Sequence, residues 1–151
     1  SVVSDVVNLM SYELSRKGIA LEVSIPSGLR VRAEVGPLGQ VFLNLFVNAV
    51  HAIEEVQKQG DKRSHRVSVT AYATDDKTEV KVCDSGSGIS AANMRQMFKP
   101  FFTTKEIGVG TGLGLATSYK LMQSWGGSIS AESKEGEGTC FALKLLRGSE
   151  F

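Results

Sequence analysis

Three stretches of this 151-residue chain place reactive or ligand-binding side chains at spacings that bring them together. In the first, Gln40, Asn44, Asn48, His51 and Glu55 recur at three-to-four spacing, so a helix would line them up on one face. Leu38, Val41, Phe42, Leu45, Phe46, Ala49, Ile53 and Val56 form an apolar stripe on the same segment. The polar face reads as an ordinary solvent face or as a ligand-binding one. Solvent faces usually carry Lys, Glu and Arg, whereas each mid-helix Asn costs about half a kcal/mol in helix propensity. Two Asn one turn apart therefore favour a further task, since amide oxygens bind a hard cation such as Mg²⁺ without adding charge.

The second stretch is Val80-Lys81-Val82-Cys83-Asp84-Ser85-Gly86-Ser87-Gly88-Ile89, a strand that ends on a carboxylate and enters a glycine turn. A plain loop with an exposed Asp is one reading. A dinucleotide site is another, because Gly86-Ser87-Gly88-Ile89-Ser90-Ala91 satisfies G-x-G-x-x-G/A after a strand. That fingerprint belongs in a parallel βαβ unit, however, and here two alternating strands joined by a tight turn precede it. A carboxylate facing an apolar slot suits instead the acceptance of a hydrogen bond from an exocyclic amine.

The third stretch, Gly108-Val109-Gly110-Thr111-Gly112-Leu113-Gly114-Leu115, runs straight into a helix. Backbone N–H groups at a glycine-rich helix N-terminus bind phosphate. No Gly-Lys-Ser/Thr follows, so it is not a P-loop. Upstream, Pro100-Phe101-Phe102-Thr103-Thr104-Lys105 supplies hydroxyls and a cation, and the whole Lys99–Gly112 segment has the composition of a glycine-hinged lid over a polyphosphate.

The elements that must position these stretches follow from periodicity. Helices are expected over Ser4–Lys17, Pro37–Gln59, Ala91–Phe98 and Leu113–Trp125. Strands are expected over Ile19–Ile25, Leu29–Val35, Arg66–Ala73, Thr78–Asp84, Ser128–Ser133 and Thr139–Leu146, with Gly60–His65 as a polar loop. Helices segregated from mostly antiparallel strands imply an α+β two-layer sandwich. One domain spans residues 1–147, and Gly148–Phe151 reads as a tail or cloning scar on a domain taken from a longer protein.

A net charge of +1 supplies no long-range field for nucleic acid or an anionic membrane, so no nucleic-acid partner is expected. No uninterrupted apolar run has the ~20 residues of a membrane span, and no signal peptide opens the chain. Cys83 and Cys140 make neither a disulfide framework nor a zinc site and read as buried, inert thiols of a reduced, soluble domain.

In order along the chain, these motifs resemble those of the ATP-binding catalytic domain of sensor histidine kinases, in the superfamily that includes gyrase, mismatch-repair ATPases and the heat-shock chaperone. Asn44-Leu45-Phe46-Val47-Asn48-Ala49 resembles the N box, and Asp84 to Ile89 the first glycine box. Phe98 to Lys105 resembles the F box, Gly110 to Ala116 the second glycine box, and Gly136-Glu137-Gly138-Thr139-Cys140-Phe141 the closing element. The F box and Asn48-Ala49-Val50-His51-Ala52-Ile53 are closest in style to nitrogen-regulation-type kinases.

The resemblance implies a Bergerat-type ATP-binding fold, with ATP and Mg²⁺ as cofactors. Asn48 would ligate the metal, and Asn44 and His51 would approach the phosphates or ribose. Asp84 would take the adenine amine with Thr139, while Gly86, Gly88, Ile89 and Phe98 shape the pocket. Thr103, Thr104, Lys105, Gly110, Thr111, Gly112, Leu113, Gly114 and Leu115 would hold the phosphates; Asn44, Asn48 and Lys105 are the catalytic candidates. Many relatives place an aromatic four residues after the metal-binding Asn, where this chain has Ala52. Neither His51 nor His65 lies in a phosphoacceptor motif; His65 reads as a polar loop residue.

By the same resemblance the domain passes a γ-phosphoryl group to a histidine on a separate dimerisation domain of the same parent, and a response regulator follows. The setting implied is bacterial cytoplasm, with the parent tethered to a membrane sensor or not, and the isolated fragment monomeric. A nucleotide-binding module without turnover is the alternative from a different class.

Overall fold

The computed structural model describes residues 2–26, 28–29, 31–60, 63–74, 76–99 and 114–147. The elements are α1 (Val2–Arg16), β1 (Ile19–Ser24), α2 (Val35–Lys58), β2 (His65–Ala73), β3 (Lys77–Asp84), α3 (Ala91–Met94), α4 (Gly114–Ser124), β4 (Ser128–Lys134) and β5 (Gly138–Leu146). The strands form one sheet in the order β1-β2-β3-β5-β4, parallel between β1 and β2 and antiparallel elsewhere. This is the expected α+β two-layer sandwich.

Strand alternation makes the two layers. Val67, Val69 and Ala71 of β2, Val80 and Val82 of β3, and Phe141, Leu143 and Leu145 of β5 are buried on one face. Leu38, Val41, Phe42, Leu45, Phe46, Ala49, Val50, Ile53 and Val56 of α2 are buried with them, each large side chain contributing roughly 1.5–3 kcal/mol. α2 is long and apolar enough by length and composition to cross a membrane. Its apolar stripe instead lies in the core of this fold. Lys17 at the end of α1 pairs with Glu54 of α2 at 2.8 Å.

Four expectations need correction. Leu29–Val35 is not a strand in its described part: Arg32 donates one backbone bond to the Leu146 carbonyl at 2.7 Å, and Val31 is buried. β5 already pairs with β3 from Thr139 to Leu146 and with β4 as far as Lys144, so only its last carbonyls remain for a further segment. The third helix stops at Met94 rather than Phe98, because the bonds beyond it tighten to Gln96 N–H to Asn93 and Lys99 N–H to Gln96.

His65 is no loop residue. It opens β2 opposite Ile19, is buried, and its Nδ1 lies 3.0 Å from Ser85 Oγ. Cys83 and Cys140 are not free buried thiols either. They are directly opposed in the β3–β5 ladder and form a disulfide. Both fall on the odd positions of the alternation, turned away from the helices and partly exposed.

Candidate functional site

The site is assembled where β3 ends. Asp84 is the last residue of β3, directly opposite Thr139 of β5, and its Oδ1 accepts the Gly86 N–H at 2.8 Å. Burial pushes the Asp84 carboxyl up to about 6, against the backbone N–H groups of Gly86 and Thr139, which favour its ionised form. A carboxylate is kept half-buried here although burial of its charge is unfavourable.

The turn after Asp84 is clamped from two sides. Ser87 donates its N–H to the Ala52 carbonyl of α2 at 3.1 Å and its hydroxyl to Glu55 Oε2 at 3.3 Å. On the other side Gly136 donates its N–H to the Ser87 carbonyl at 2.8 Å. Glycine is required by close approach. A Cβ on Gly86 would meet the Ala52 backbone carbon at 2.5 Å, and one on Gly138 would run into the Asp84 carbonyl oxygen. A Cβ on Gly88, whose φ is +75°, would run into the carbonyl of Lys134. Ala52, where many relatives carry an aromatic, thus lies directly against the Gly86–Ser87 backbone.

Ser133 of β4, absent from the sequence-derived site, joins the clamp. Its hydroxyl accepts the Ile89 N–H at 2.7 Å, lies 2.8 Å from Thr139 Oγ1 and donates to the Gly138 carbonyl at 3.0 Å. Its signal was legible: in β4 the odd positions carry Ile129 and Ala131 inward, and Ser133 continues that face.

The polar face of α2 links this turn to α4. Asn44, Asn48 and His51 are partly buried, while Gln40 and Glu55 are exposed. Asn44 Nδ2 donates to the Gly114 carbonyl at 3.2 Å and to Ser118 Oγ at 3.3 Å, and Gln40 Nε2 donates to Asn44 Oδ1 at 3.0 Å. Ser118, fully buried, was also missed; its hydroxyl donates to Gly114 at 2.8 Å. From Asn44 at the start of α4 to Ala52 at the glycine turn, α2 rises about 12 Å. Asn48 and His51 lie between.

Gly114 and Leu115 open α4, and Phe98 stacks obliquely on Tyr119 of that helix with ring centroids 5.4 Å apart. Thr103, Thr104, Lys105, Gly110, Thr111, Gly112 and Leu113 lie outside the described residues, as does most of the expected lid. The dinucleotide reading fails on topology. β3 is antiparallel to both its neighbours, so the glycine turn opens no parallel βαβ unit.

A family profile described as histidine kinase-, DNA gyrase B-, and HSP90-like ATPase (HATPase_c) matches residues 33–149, which span every element of this site. The chain belongs to the HATPase_c family. Within it, the chain has the form of the catalytic domain of sensor histidine kinases. Sensor histidine kinase ZraS of Klebsiella oxytoca is 37% identical over 145 residues, covering 95% of this chain and 29% of that protein. ZraS of Escherichia coli K12 is 35% identical over 147 residues, 96% of this chain and again 29% of the relative. The chain therefore spans under a third of these relatives.

The solved catalytic domain of histidine kinase ThkA superposes with a TM-score of 0.81 at 28% identity, over 97% of this chain and 92% of that one. Full-length ShkA in complex with AMPPNP also gives 0.81 at 28% identity, over 99% of this chain and 30% of that one. HATPase_c is an ATP-binding family, and Gly86, Gly88 and Gly138 let the backbone pack closely against Ala52, Lys134 and Asp84 around the half-buried Asp84 carboxyl. For a metal, the described residues hold no cluster of three or more His, Cys, Asp or Glu.

Proposed function

We propose that this HATPase_c domain binds ATP with Mg²⁺ along the polar face of α2 and donates the γ-phosphoryl group to a histidine on a separate dimerisation domain of its parent. Asp84 carries the reading. It is a carboxyl whose burial is unfavourable, held at the end of β3 among glycines, and an exocyclic amine of adenine gives that carboxylate a partner. Thr139 assists it, and Gly86, Gly88 and Ile89 let the base and ribose approach the backbone.

Asn44, His51, Gly114 and Leu115 face the ribose and phosphates, joined by Phe98 and by Thr103, Thr104, Lys105, Gly110, Thr111, Gly112 and Leu113 of the lid. Asn48 supplies the protein oxygen for Mg²⁺, which when bound neutralises phosphate charge. The domain's contribution is positioning and electrostatic stabilisation; the nucleophile is an imidazole nitrogen supplied in trans. The phosphorylated histidine then serves a response regulator, in a bacterial cytoplasmic setting. Titration with ATP, ADP and NAD in Mg²⁺, paired with transfer to the parent's dimerisation domain, tests this. ATP binding followed by labelling of that domain is expected; NAD binding in place of ATP overturns it.

A further inference from the structure

Cys83 and Cys140 take no part in the nucleotide chemistry, yet their placement is specific. Their Cα atoms are 4.0 Å apart, directly opposed between β3 and β5. Both side chains are partly exposed on the sheet face turned from the helices, with Ser68 and Glu132 next to them across the sheet. The register does not need the covalent link. The ladder runs on through Val82↔Phe141 to Lys77↔Leu146, and its inward side chains, Val80, Val82, Phe141 and Leu143, are core.

In the other direction there is a single further pair, Asp84↔Thr139, and then only the glycine turns at Gly86 and Gly138. The disulfide thus joins β3 to β5 covalently one residue from the two side chains assigned to adenine, where the other ties are the noncovalent Ser87 and Ser133 clamps and the flanking strands β2 and β4. Accessible disulfides exchange, whereas structural ones are buried. Lys81, two positions along β3, shares that partly exposed outward face.

We propose that Cys83–Cys140 is a reversible thiol–disulfide modification site, reacting with a low-molecular-weight thiol/disulfide couple, whose oxidised form aligns Asp84 with Thr139 and tightens nucleotide binding. The coupling rests on the ATP reading above. In reduction, a small thiolate attacks one cystine sulfur, the protein S–S bond breaks, a mixed disulfide forms, and the released cysteine thiolate takes a proton. A second small thiolate attacks the small-molecule sulfur of that mixed disulfide. It leaves as the oxidised small disulfide, and the second cysteine is protonated. Two electrons pass from the two small thiols to the cystine; a small disulfide drives the reverse.

The test compares the domain treated with dithiothreitol and with oxidised glutathione, counting alkylated cysteines by mass and titrating ATP in Mg²⁺. Two alkylated cysteines are expected in the reduced form and none in the oxidised form. The Kd for ATP should rise about fivefold or more on reduction, the lower end of ordinary coupling between two sites. A Cys83→Ser, Cys140→Ser variant should bind like the reduced protein and ignore both reagents; if it fails to fold, the two wild-type states carry the test. Free thiols that persist in oxidised glutathione overturn the site. An unchanged Kd with only a lowered Tm makes the disulfide structural and overturns the coupling. Absence of ATP binding in both states defeats the nucleotide reading. The proposal is then decided by the alkylation count and by amide exchange at Ser85–Gly88, which must quicken on reduction.

Discussion

Asn44 donates from Nδ2 to the Gly114 carbonyl oxygen, 3.2 Å away, and so ties the middle of α2 to the first residue of α4. Both ends of this amide are engaged, the oxygen by Gln40 and the nitrogen by Gly114 and Ser118. An amide takes no proton at neutral pH, so Asn44 cannot activate water for attack on a phosphate.

The isolated domain should therefore bind ATP and hydrolyse it very slowly, while phosphorylating a supplied histidine-bearing domain. Asn44→Ala should lower the melting temperature by several degrees, since one lost buried partner costs about 1–3 kcal/mol. Brisk ATP turnover by the fragment alone, lost in Asn44→Ala, would instead mark a self-sufficient ATPase.

Neither histidine should be the phosphoacceptor. His65 is buried against Ser85, so His65→Gln should cost stability. A His51→Gln, His65→Gln double variant, assayed below its own melting temperature, should still transfer phosphate in trans. Loss of transfer with ATP affinity intact would move the acceptor onto this domain.

Asp84→Asn should change stability and affinity in opposite directions. The native carboxyl pKa, about 6, lies above its ordinary 3.8, so the folded state holds this proton more tightly than the unfolded chain. Stability from this group is complete below about 3.8 and is lost as pH rises to about 6, a cost on the order of 3 kcal/mol above that. Without nucleotide, Asp84→Asn should melt above the parent at pH 8, with a smaller difference at pH 5. ATP affinity should fall by roughly 1.5–3 kcal/mol, and the parent should bind ATP less well at pH 5 than at pH 8 and prefer it to GTP throughout. Equal affinity of the parent for ATP and GTP defeats the adenine assignment.

Asn48→Ala should leave nucleotide binding nearly insensitive to Mg²⁺, because this amide is the one protein oxygen assigned to the metal. Calcium, with its looser shell, should support less transfer than Mg²⁺ in the parent. A Mg²⁺ dependence that survives Asn48→Ala, read by titration with and without chelator, would place the metal elsewhere.

Gly86→Ala should displace the whole turn after Asp84. The added methyl meets backbone atoms of Ala52 at 2.5 and 2.8 Å, and α2 is too firmly packed to yield. A Tm loss of several degrees and a tenfold or larger rise in Kd for ATP are expected, in line with overpacking costs of about 1–3 kcal/mol. Gly136→Ala, where open space surrounds the added carbon, should be milder despite its φ of +79°. Equal effects of the two would show that contact with α2 does not shape the site.

The sequence by itself determined the layers and the order of motifs. Alternation in Arg66–Ala73 and Thr78–Asp84, the three-to-four spacing of the long helix, and the glycines after Asp84 are local signals, and local steric and hydrophobic rules read them directly. The Asn44/Asn48 stripe stood out for the same reason, since asparagine is misplaced on a plain solvent face. Other features depend on partners distant in the chain. Leu29–Val35 alternates like a strand, but a strand needs a free neighbouring edge, and β5 offered Arg32 one carbonyl. Ser118 is unremarkable in sequence, and Ser133 shows only that it continues the inward face of β4; both became part of the site once α4 met α2 and β4 met β5. Cys83 and Cys140, 57 residues apart, were read as separate thiols; the β3–β5 register made them a pair, because pairing of two side chains is decided by which strands adjoin and in what alignment.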